Sequence, residues 1–284
     1  MSSIAVITDT DSSLPAPIAA QYGIQQVPIA IHFGNETLIA GVDIDDQSLF
    51  ERIDRTGRLP TTSAPPPSAF SQAYRKAFEN GAESIVCICV SSRISATYNA
   101  ALTACEEFPG RSITVIDSLT LSMGQGFIVL AAAETAASGA SHTEVVAQAQ
   151  SIARRIHLYA SLSTLKYLAM SGRVGKVAAG MAGMLNIQPI LTIKEGKLDL
   201  LERVRTRRAA MYRLVELFAA SLDGKTAQRA AFIHVNNPQG ATELRSLLEE
   251  RLPLPTGALT VEFSPGLSVH AGSGLVGAVI ITDR

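Results

Sequence analysis

The sequence predicts an α/β protein with two lobes, in which the N-terminal lobe contains a mostly parallel, Rossmann-like sheet and the C-terminal lobe contains a mixed sheet. Its 284 residues exceed the usual size of one domain and suit two, each with its own core. Hydrophobic residues make up 47% of the chain and charged residues 17%, as in compact globular proteins. Strand-like and helical patterns alternate along the first half, which is typical of βαβ units.

The N-terminal half divides into short apolar runs that predict strands and longer patterns that predict helices. The continuous apolar run from Ile85 to Val90 predicts a strand that is buried on both faces, as in the middle of a parallel sheet. Prolines exclude a helix from residues 59–67, so this segment is predicted to be an extended loop that carries Thr61, Thr62 and Ser63. Strands are predicted over 4–8, 24–31, 85–90 and 113–116, and helices over 14–22, 46–55, 67–79, 95–107 and 119–138.

A second set of patterns in the C-terminal half predicts a separate lobe. We place the boundary between Ser138 and His157, which gives an N-terminal α/β domain over 1–150 and a C-terminal α/β domain over 151–284. The segment 177–185 combines small residues with methionine, which suits either a flexible aliphatic ligand or a core helix. Strands are predicted over 158–162, 189–194, 198–203, 230–235, 258–263 and 276–282, and helices over 143–156, 175–186, 206–221 and 240–251.

Composition and charge exclude several classes of function. A net charge of −1, with no basic block beyond Arg203–Arg208, argues against nucleic acid as a partner. The N-terminus has no signal-peptide pattern and the apolar stretches are too short to span a bilayer, so a cytoplasmic protein is expected. Cys87 and Cys89 are predicted to be reduced core residues, and without a Cys-x-x-Cys pair or clustered histidines no metal site is predicted.

Three polar turns follow predicted parallel strands, where ligands collect in such sheets. The hydroxyls of Ser92, Ser95 and Thr97, together with free N–H groups at a helix N-terminus, suit a carboxylate or a phosphate. The alternative is that Ser91 or Ser92 only caps the next helix. The three turns are Asp9–Ser13, Ser91–Thr97 and Asp117–Ser118.

Asp9 and Asp11 allow two further interpretations. As Asp-x-Asp after a strand, they match the opening of magnesium-dependent phosphatases, in which the first carboxylate attacks phosphorus and the second protonates the leaving group. That chemistry also needs a lysine and a later acidic pair, and the best candidates, Lys166 and Asp45–Asp46, do not follow strands. The structural alternative is that both aspartates cap the following helix and order the turn.

His270 precedes the glycine pattern Gly272-x-Gly274-x-x-Gly277 near the end of the chain. The pattern matches a dinucleotide fingerprint as a string, but it precedes a strand instead of opening a helix after one, so no dinucleotide is predicted. The glycines are expected to let the backbone approach a ligand cleft, into which His270 would point. A hydrogen-bonded structural role for this single histidine is the alternative.

Several segments, taken in order, resemble the DegV family of fatty-acid-binding proteins, and the resemblance covers essentially the whole chain. Two departures from the family pattern lie at the expected site, because Ala96 replaces a glycine in the turn and Ser273 replaces a proline after His270. The matching segments are Ile7–Ser13, Val27–Ile29, Thr62–Ser63 with Pro65, Ser91–Tyr98, Ile116–Ser118, Thr164–Leu168, Ser171–Arg173, Pro189–Leu191, Arg205–Thr206 and His270–Gly274.

The resemblance implies one long-chain fatty acid bound between two α/β lobes, with Thr62 and Ser95 holding its carboxylate. It also implies a carrier that is not itself an enzyme, has no cofactor, and presents the acid to a fatty acid kinase that makes the acyl phosphate. Transient contact with a membrane is compatible with this role. The remaining expected binding residues are Ser63, Ser92, Ala96, Thr97 and His270, and the candidates for the cleft mouth or the partner contact are Arg173 and Arg205.

Overall fold

The computed structural model of the protein describes residues 3–173 and 187–283. The helix predicted over 175–186, with the methionine-rich segment 177–185, lies outside the described residues. The strands are, in chain order, β1 (Ile4–Asp9), β2 (Gln25–Val27), β3 (Ala30–Phe33), β4 (Glu36–Ile39), β5 (Thr61–Ser63), β6 (Ser84–Cys89), β7 (Ser112–Asp117), β8 (Ile156–Ser161), β9 (Gln188–Lys194), β10 (Lys197–Val204), β11 (Ala227–His234), β12 (Leu259–Glu262) and β13 (Val276–Thr282). The helices are α1 (Ala16–Gln21), α2 (Asp46–Thr56), α3 (Pro67–Glu79), α4 (Thr97–Cys105), α5 (Met123–Ala137), α6 (His142–Ala153), α7 (Lys166–Ser171), α8 (Arg207–Leu222), α9 (Pro238–Glu249) and α10 (Pro265–Ala271).

The N-terminal lobe is built on a parallel four-stranded sheet in the order β2-β1-β6-β7. The side chains of β6 alternate between two apolar cores. Cys87 and Cys89 belong to the core formed with α3 and α4, whereas Val86 and Ile88 belong to the core that contains α5. This burial on both faces explains the continuous apolar run in the sequence. Both cysteines are free and buried, as predicted.

The C-terminal lobe is built on a six-stranded sheet in the order β10-β9-β8-β13-β11-β12. The pair β11 and β12 is parallel, and the other neighbours are antiparallel. Helices α8 and α9 cover one face, while Val279 and Ile281 on the opposite face join the core of the N-terminal lobe. The predicted fold class, with a parallel and a mixed sheet, is therefore confirmed. The domain boundary near residue 150 stays a prediction.

Helix α5 lies between the two sheets, which explains why its sequence lacks an amphipathic pattern. Every residue from Met123 to Ala133 is buried, and α5 contacts β1 and β6 on one side and β8 and β11 on the other. A helix that is packed against other elements on every side needs apolar residues on every side. It begins at Met123 and not at residue 119 as predicted, because Leu119 and Ser122 have φ values of 51° and 50°. Within the described part of the chain, no helix is long and apolar enough to cross a membrane.

A small antiparallel sheet in the order β4-β3-β5 departs from the sequence prediction. The strand predicted over 24–31 is two strands, β2 in the parallel sheet and β3 in the small one, with Pro28 between them. Proline cannot donate a backbone hydrogen bond to a neighbouring strand, so the run is interrupted there. The segment 59–67, predicted to be a loop, contains β5, in which Thr62 pairs with Ile31 of β3. This pairing fixes the position of Thr62.

The short helices α7 and α10 also depart from the sequence prediction. Helix α10 does carry a start signal, since Ser264 Oγ accepts the Leu267 N–H and Pro265 occupies the first helical position. Its seven residues are too few to show a helical period. The helix presents His270 and Ser268 to the N-terminal lobe, and its N-cap Ser264 does the same.

The glycines after α10 allow close approach between neighbouring chain segments, while their approach to a ligand cleft stays a prediction. Gly272 lies against the Tyr167 ring and Gly274 against the Ser163 side chain. Gly277 faces Ala160 across the pair β13 and β8. A Cβ at position 277 would lie 2.5 Å from the Tyr159 carbonyl oxygen and 2.6 Å from Ala160 Cβ. Backbone packing within the mixed sheet therefore requires glycine at this position.

Replacing Gly277 by alanine should lower the free energy of unfolding by about 1–3 kcal/mol, because the added methyl group overlaps with β8. Gly257 provides the matched control, since a Cβ there meets no atom within 4 Å. Gly257→Ala should change stability by no more than about 0.5 kcal/mol. Urea denaturation of both variants measures the difference, and equal stabilities would contradict the packing argument.

Candidate functional site

An apolar cavity lies between the two sheets and encloses about 570 Å³ of space not occupied by atoms, part of it open to solvent. Its walls come from the turns after β6 and β7, from β8 to β10, and from α7 and α10. Among the described residues that line it, only Arg173, Thr192 and His270 are polar. The apolar lining residues are Ile94, Leu121, Leu158, Ala160, Leu162, Leu168, Leu191, Ile193, Leu198, Phe263, Leu267, Ala271 and Leu275.

His270 lines the cavity and contacts Thr62 of β5. The two residues are 208 positions apart, yet His270 Nε2 and Thr62 Oγ1 are separated by 2.7 Å. Burial, together with the positive charge of Arg173, lowers the pKa of His270 to about 4, so its imidazole is neutral at neutral pH. His270 Nδ1 is buried and has no hydrogen-bond partner among the described residues. Thr62 does not itself line the cavity, so it is connected to it through neutral His270, while Arg173 adds a guanidinium group to the lining.

The turn after β6 places Ser95 and Thr97 beside the cavity-lining Ile94. The Ser91 carbonyl accepts hydrogen bonds from the N–H groups of Ile94 and Ser95, both at 3.0 Å. The hydroxyl oxygens of Ser95 and Thr97 are 2.8 Å apart, and Ser95 Oγ also accepts the Thr97 N–H at 3.3 Å. Ser95, and not Ser91 or Ser92, therefore satisfies the first N–H of α4. The turn offers a pair of hydroxyls at a helix N-terminus.

The three polar turns meet at one edge of the parallel sheet, as predicted. The Ser92 N–H donates to Asp117 Oδ1 at 3.1 Å, and the Val90 N–H donates to Asp9 Oδ2 at 2.8 Å. Ala96, which departs from the family pattern, has φ −77° and ψ 0°. This is a conformation that any L-residue adopts, so the alanine methyl does not restrict the turn.

Ser63 and Arg205 lie away from the cavity. Ser63 alternates with Thr62 along β5, and its hydroxyl contacts His32 Nε2 at 2.8 Å on the exposed side of the strand. Arg205 is exposed just after β10 and does not line the cavity. Of the residues proposed from the sequence, Arg173 and His270 line the cavity. The others lie beside it or away from it and are not part of its lining: Thr62, Ser63, Ser92, Ser95, Ala96, Thr97 and Arg205. As ligand contacts, the residues proposed from the sequence all remain predictions.

Asp9 and Asp11 order the turn after β1, as the structural alternative proposed. Asp9 Oδ1 accepts the Asp11 N–H at 3.0 Å, and Asp9 Oδ2 accepts from the Val90 N–H and from Gln125 Nε2 at 2.8 and 3.0 Å. Asp11 Oδ1 accepts the Ser264 hydroxyl at 3.1 Å. Burial, reinforced by the negative charge of Asp9, raises the pKa of Asp11 to about 8. In the ranges 3–173 and 187–283, no three His, Cys, Asp or Glu side chains are grouped to hold a metal ion.

Sequence patterns did not reveal the contact between Asp46 and Ser268. The Ser268 hydroxyl donates to Asp46 Oδ2 at 2.6 Å, and both residues are buried. Burial raises the pKa of Asp46 to about 7. An acidic residue in the first turn of a helix normally signals a favourable charge next to the helix dipole. Nothing local links it to a serine 222 positions away.

The fold and the cavity define a class of two-lobed α/β proteins, in which an apolar cavity with a few polar groups lies between a parallel and a mixed sheet. This chain belongs to the DegV family, since the family model described as "Uncharacterised protein, DegV family" matches residues 3–283. A DegV domain-containing protein of Streptomyces coelicolor is 34% identical over 277 residues, which cover 98% of each chain. The family resemblance inferred from sequence motifs is therefore confirmed.

Solved structures of the family share the whole fold. A DegV family protein from Thermus thermophilus, whose structure is described as showing fatty acid binding, is 30% identical and superposes with a TM-score of 0.93 over 99% of each chain. DegV from Bacillus subtilis, described as a fatty acid binding protein, is 26% identical and superposes with a TM-score of 0.89 over 100% of each chain. These relatives thus share the two-lobed fold in which the cavity is found.

The buried carboxyl of Asp11 should make stability fall as pH rises. The folded protein keeps this proton up to about pH 8, whereas the unfolded chain releases it near 3.8. Between these values the unfolded state binds fewer protons, so the native chain loses stability with increasing pH. Asp11→Asn keeps an acceptor for Ser264 but has no proton to release. Between pH 4 and pH 8 its free energy of unfolding should therefore rise by more than about 1 kcal/mol relative to that of the native chain.

Asp45→Asn is the control for this pH dependence. Asp45 caps α2 through the Ser48 N–H, and its pKa is lowered mainly by hydrogen bonds from Ser48. Its contribution is present above the ordinary carboxyl pKa and lost only in acid, and asparagine caps helices well. The stability difference between this variant and the native chain should stay flat from pH 5 to pH 8. Urea denaturation across the pH range measures both differences, and a flat difference for Asp11→Asn would refute the assignment.

Proposed function

We propose that this protein binds one long-chain fatty acid between its two lobes and presents the carboxylate to a separate kinase, which makes the acyl phosphate. The observation that carries the proposal is the cavity between the sheets. Among the described residues that line it, only Arg173, Thr192 and His270 are polar. Fatty acid binding by the structural relatives from Thermus thermophilus and Bacillus subtilis supports it.

The lining of the cavity is suited to an acyl chain. An acyl chain has no hydrogen-bonding groups, so it leaves no polar group unsatisfied among leucine and isoleucine side chains. Burying each methylene contributes about 0.8 kcal/mol before the cost of ordering the chain is subtracted. A sugar or a nucleotide would lose its hydrogen bonds with water in the same place. Burial of the tail is therefore the main source of affinity.

The head group in this proposal lies at Thr62 and Ser95. A carboxylate only accepts hydrogen bonds, so both hydroxyls must donate to it. Neutral His270 can donate its Nε2 proton to Thr62 Oγ1, which leaves the threonine proton free for the carboxylate. The charge of Arg173 and the N–H groups at the start of α4 add a favourable potential for the anion.

The chain in this proposal is a carrier and not an enzyme. Both carboxylate oxygens of Asp9 already accept hydrogen bonds, and the residue is completely buried, so it is not placed to attack phosphorus. Formation of an acyl phosphate then requires a kinase as a partner, and Arg173 and the exposed Arg205 are the candidate contacts. We further propose that the protein acts in the cytoplasm, without a cofactor, and contacts membranes only transiently.

The first test is to denature the purified protein, extract it with organic solvent and identify the released lipid by mass spectrometry. We expect about one fatty acid per chain. Leu198→Trp, which fills the cavity, should lower the affinity for an added acid at least about tenfold. Leu201→Trp is the control, because Leu201 lies on the same strand, is 38% exposed and does not line the cavity. No bound lipid, even after incubation with fatty acids, would overturn the proposal.

Thr62→Ala combined with Ser95→Ala should weaken binding of a labelled fatty acid at least about tenfold, because two hydrogen bonds to a charged group are lost. The variant also loses the bond from Thr62 to His270. It should remain folded, since the bonds of Asp11 and Asp46 to Ser264 and Ser268 and the apolar cores are kept. Ser63→Ala removes a hydroxyl from the other side of β5 and should change affinity less than about twofold. Fluorescence titration measures the affinities, with circular dichroism as a check on folding. Unchanged binding by the double variant would refute the head-group assignment.

A further inference from the structure

The hairpin of β9 and β10 ends in the turn Glu195–Gly196, which reaches across to the turn after β6. Both residues have positive φ, 51° and 78°, as in a two-residue type I′ hairpin. Ser91 is completely buried, and its hydroxyl donates to the Gly196 carbonyl at 2.7 Å. A Cβ at position 196 would lie 2.6 Å from Ser91 Oγ and 3.0 Å from Leu119 Cδ2. The close contact between hairpin and turn therefore requires glycine.

The same hairpin also forms part of the cavity wall. Ile193 and Leu198 are direct partners in the register of β9 and β10, next to the turn at Glu195–Gly196. Both side chains line the cavity. A two-residue loop fixes the register of a hairpin, so the wall and the turn move as one unit.

On the other side of this contact, Ser91 is hydrogen-bonded to the backbone of Ser95. The Ser91 carbonyl accepts the Ser95 N–H at 3.0 Å, and the Ser91 N–H donates to the Thr120 carbonyl at 2.9 Å. Ser91 Oγ also accepts the Arg93 N–H at 3.2 Å. Both backbone groups and the hydroxyl of Ser91 are thus engaged in holding the turn. Its complete burial leaves it no direct contact with a ligand in the cavity.

We propose that Ser91 is a positioning residue, whose bond to Gly196 holds the turn so that the Ser95 hydroxyl points at the head group of the bound acid. The hairpin would thereby link the wall that touches the tail, at Ile193 and Leu198, to the site that holds the carboxylate. This inference rests on the proposed function, and it adds to it a residue that acts without touching the ligand.

The test compares two probes of equal tail length, hexadecanoic acid and 1-hexadecanol. Ser91→Ala should weaken binding of the acid about fivefold, since Ser95 no longer points at the carboxylate. Binding of the alcohol should change less than about twofold, because a neutral hydroxyl gains less from an aligned donor than a carboxylate does. In the Ser95→Ala background, Ser91→Ala should weaken acid binding by less than about a further twofold, because the two residues act through one interaction.

Two variants complete the experiment. Ser71→Ala removes a comparably buried hydroxyl from α3, which donates to Glu107 at 2.8 Å, and it should leave the binding of both probes unchanged. Ser91→Cys, which replaces the hydroxyl by a much weaker donor and leaves the hairpin turn unchanged, should reproduce the pattern of Ser91→Ala, and this keeps the test decisive if one variant fails to fold. Thermal unfolding of each variant monitors the fold.

The outcomes separate this inference from the proposed function. Equal losses for acid and alcohol, or an effect of Ser91→Ala that persists in full without the Ser95 hydroxyl, would overturn the positioning role and leave the fatty acid proposal intact. A native chain that fails to bind the acid at all would overturn both.

Discussion

The arrangement of the two lobes depends on α10 and its N-cap residue Ser264, whose polar side chains are hydrogen-bonded to three different segments of the N-terminal lobe. The partners are 253, 222 and 208 positions apart in the chain. A buried polar group without a partner costs about 1–3 kcal/mol, so a shifted arrangement of the lobes would leave several such groups unpaired. The bonds therefore specify one arrangement, and with it the cavity. They join Ser264 to Asp11, Ser268 to Asp46, and His270 to Thr62.

These bonds lie in surroundings that disfavour charge. Burial raises the pKa of Asp11 to about 8 and that of Asp46 to about 7, and it lowers the pKa of His270 to about 4. All three shifts favour the neutral form, which is far less costly to bury than an ion. Helix α5 completes the apolar surroundings, because it is buried from Met123 to Ala133 between the two sheets. The lobes are thus held by hydrogen bonds inside an apolar contact that favours the neutral forms of these groups.

Local features of this fold follow from the sequence, whereas the contacts that join distant segments do not. The apolar run of β6 indicates a strand with two buried faces, and the rule that ligands collect beyond parallel strands locates the turn that carries Ser95. The strand that carries Thr62 has three residues and exists through its pairing with Ile31, so no local period reveals it. Successive side chains of a strand point to opposite faces, so once β5 is known to be a strand, Ser63 is expected to face His32 and not the cavity.

The chemistry of the polar groups affects how a carrier of the proposed kind would bind its ligand and transfer it to a partner. A buried lysine would form an ion pair with the carboxylate, and breaking that pair on transfer would leave an uncompensated charge in the cavity. In this proposal hydroxyl donors make the direct contacts to the head group and Arg173 adds only a favourable potential. These interactions are weaker than a buried ion pair, so the tail supplies most of the binding free energy. A partner that acts on the carboxylate does not need to displace the tail. The cavity wall would thus supply most of the affinity for the acid, while the hydroxyls of Thr62 and Ser95 orient its carboxylate and contribute the smaller share.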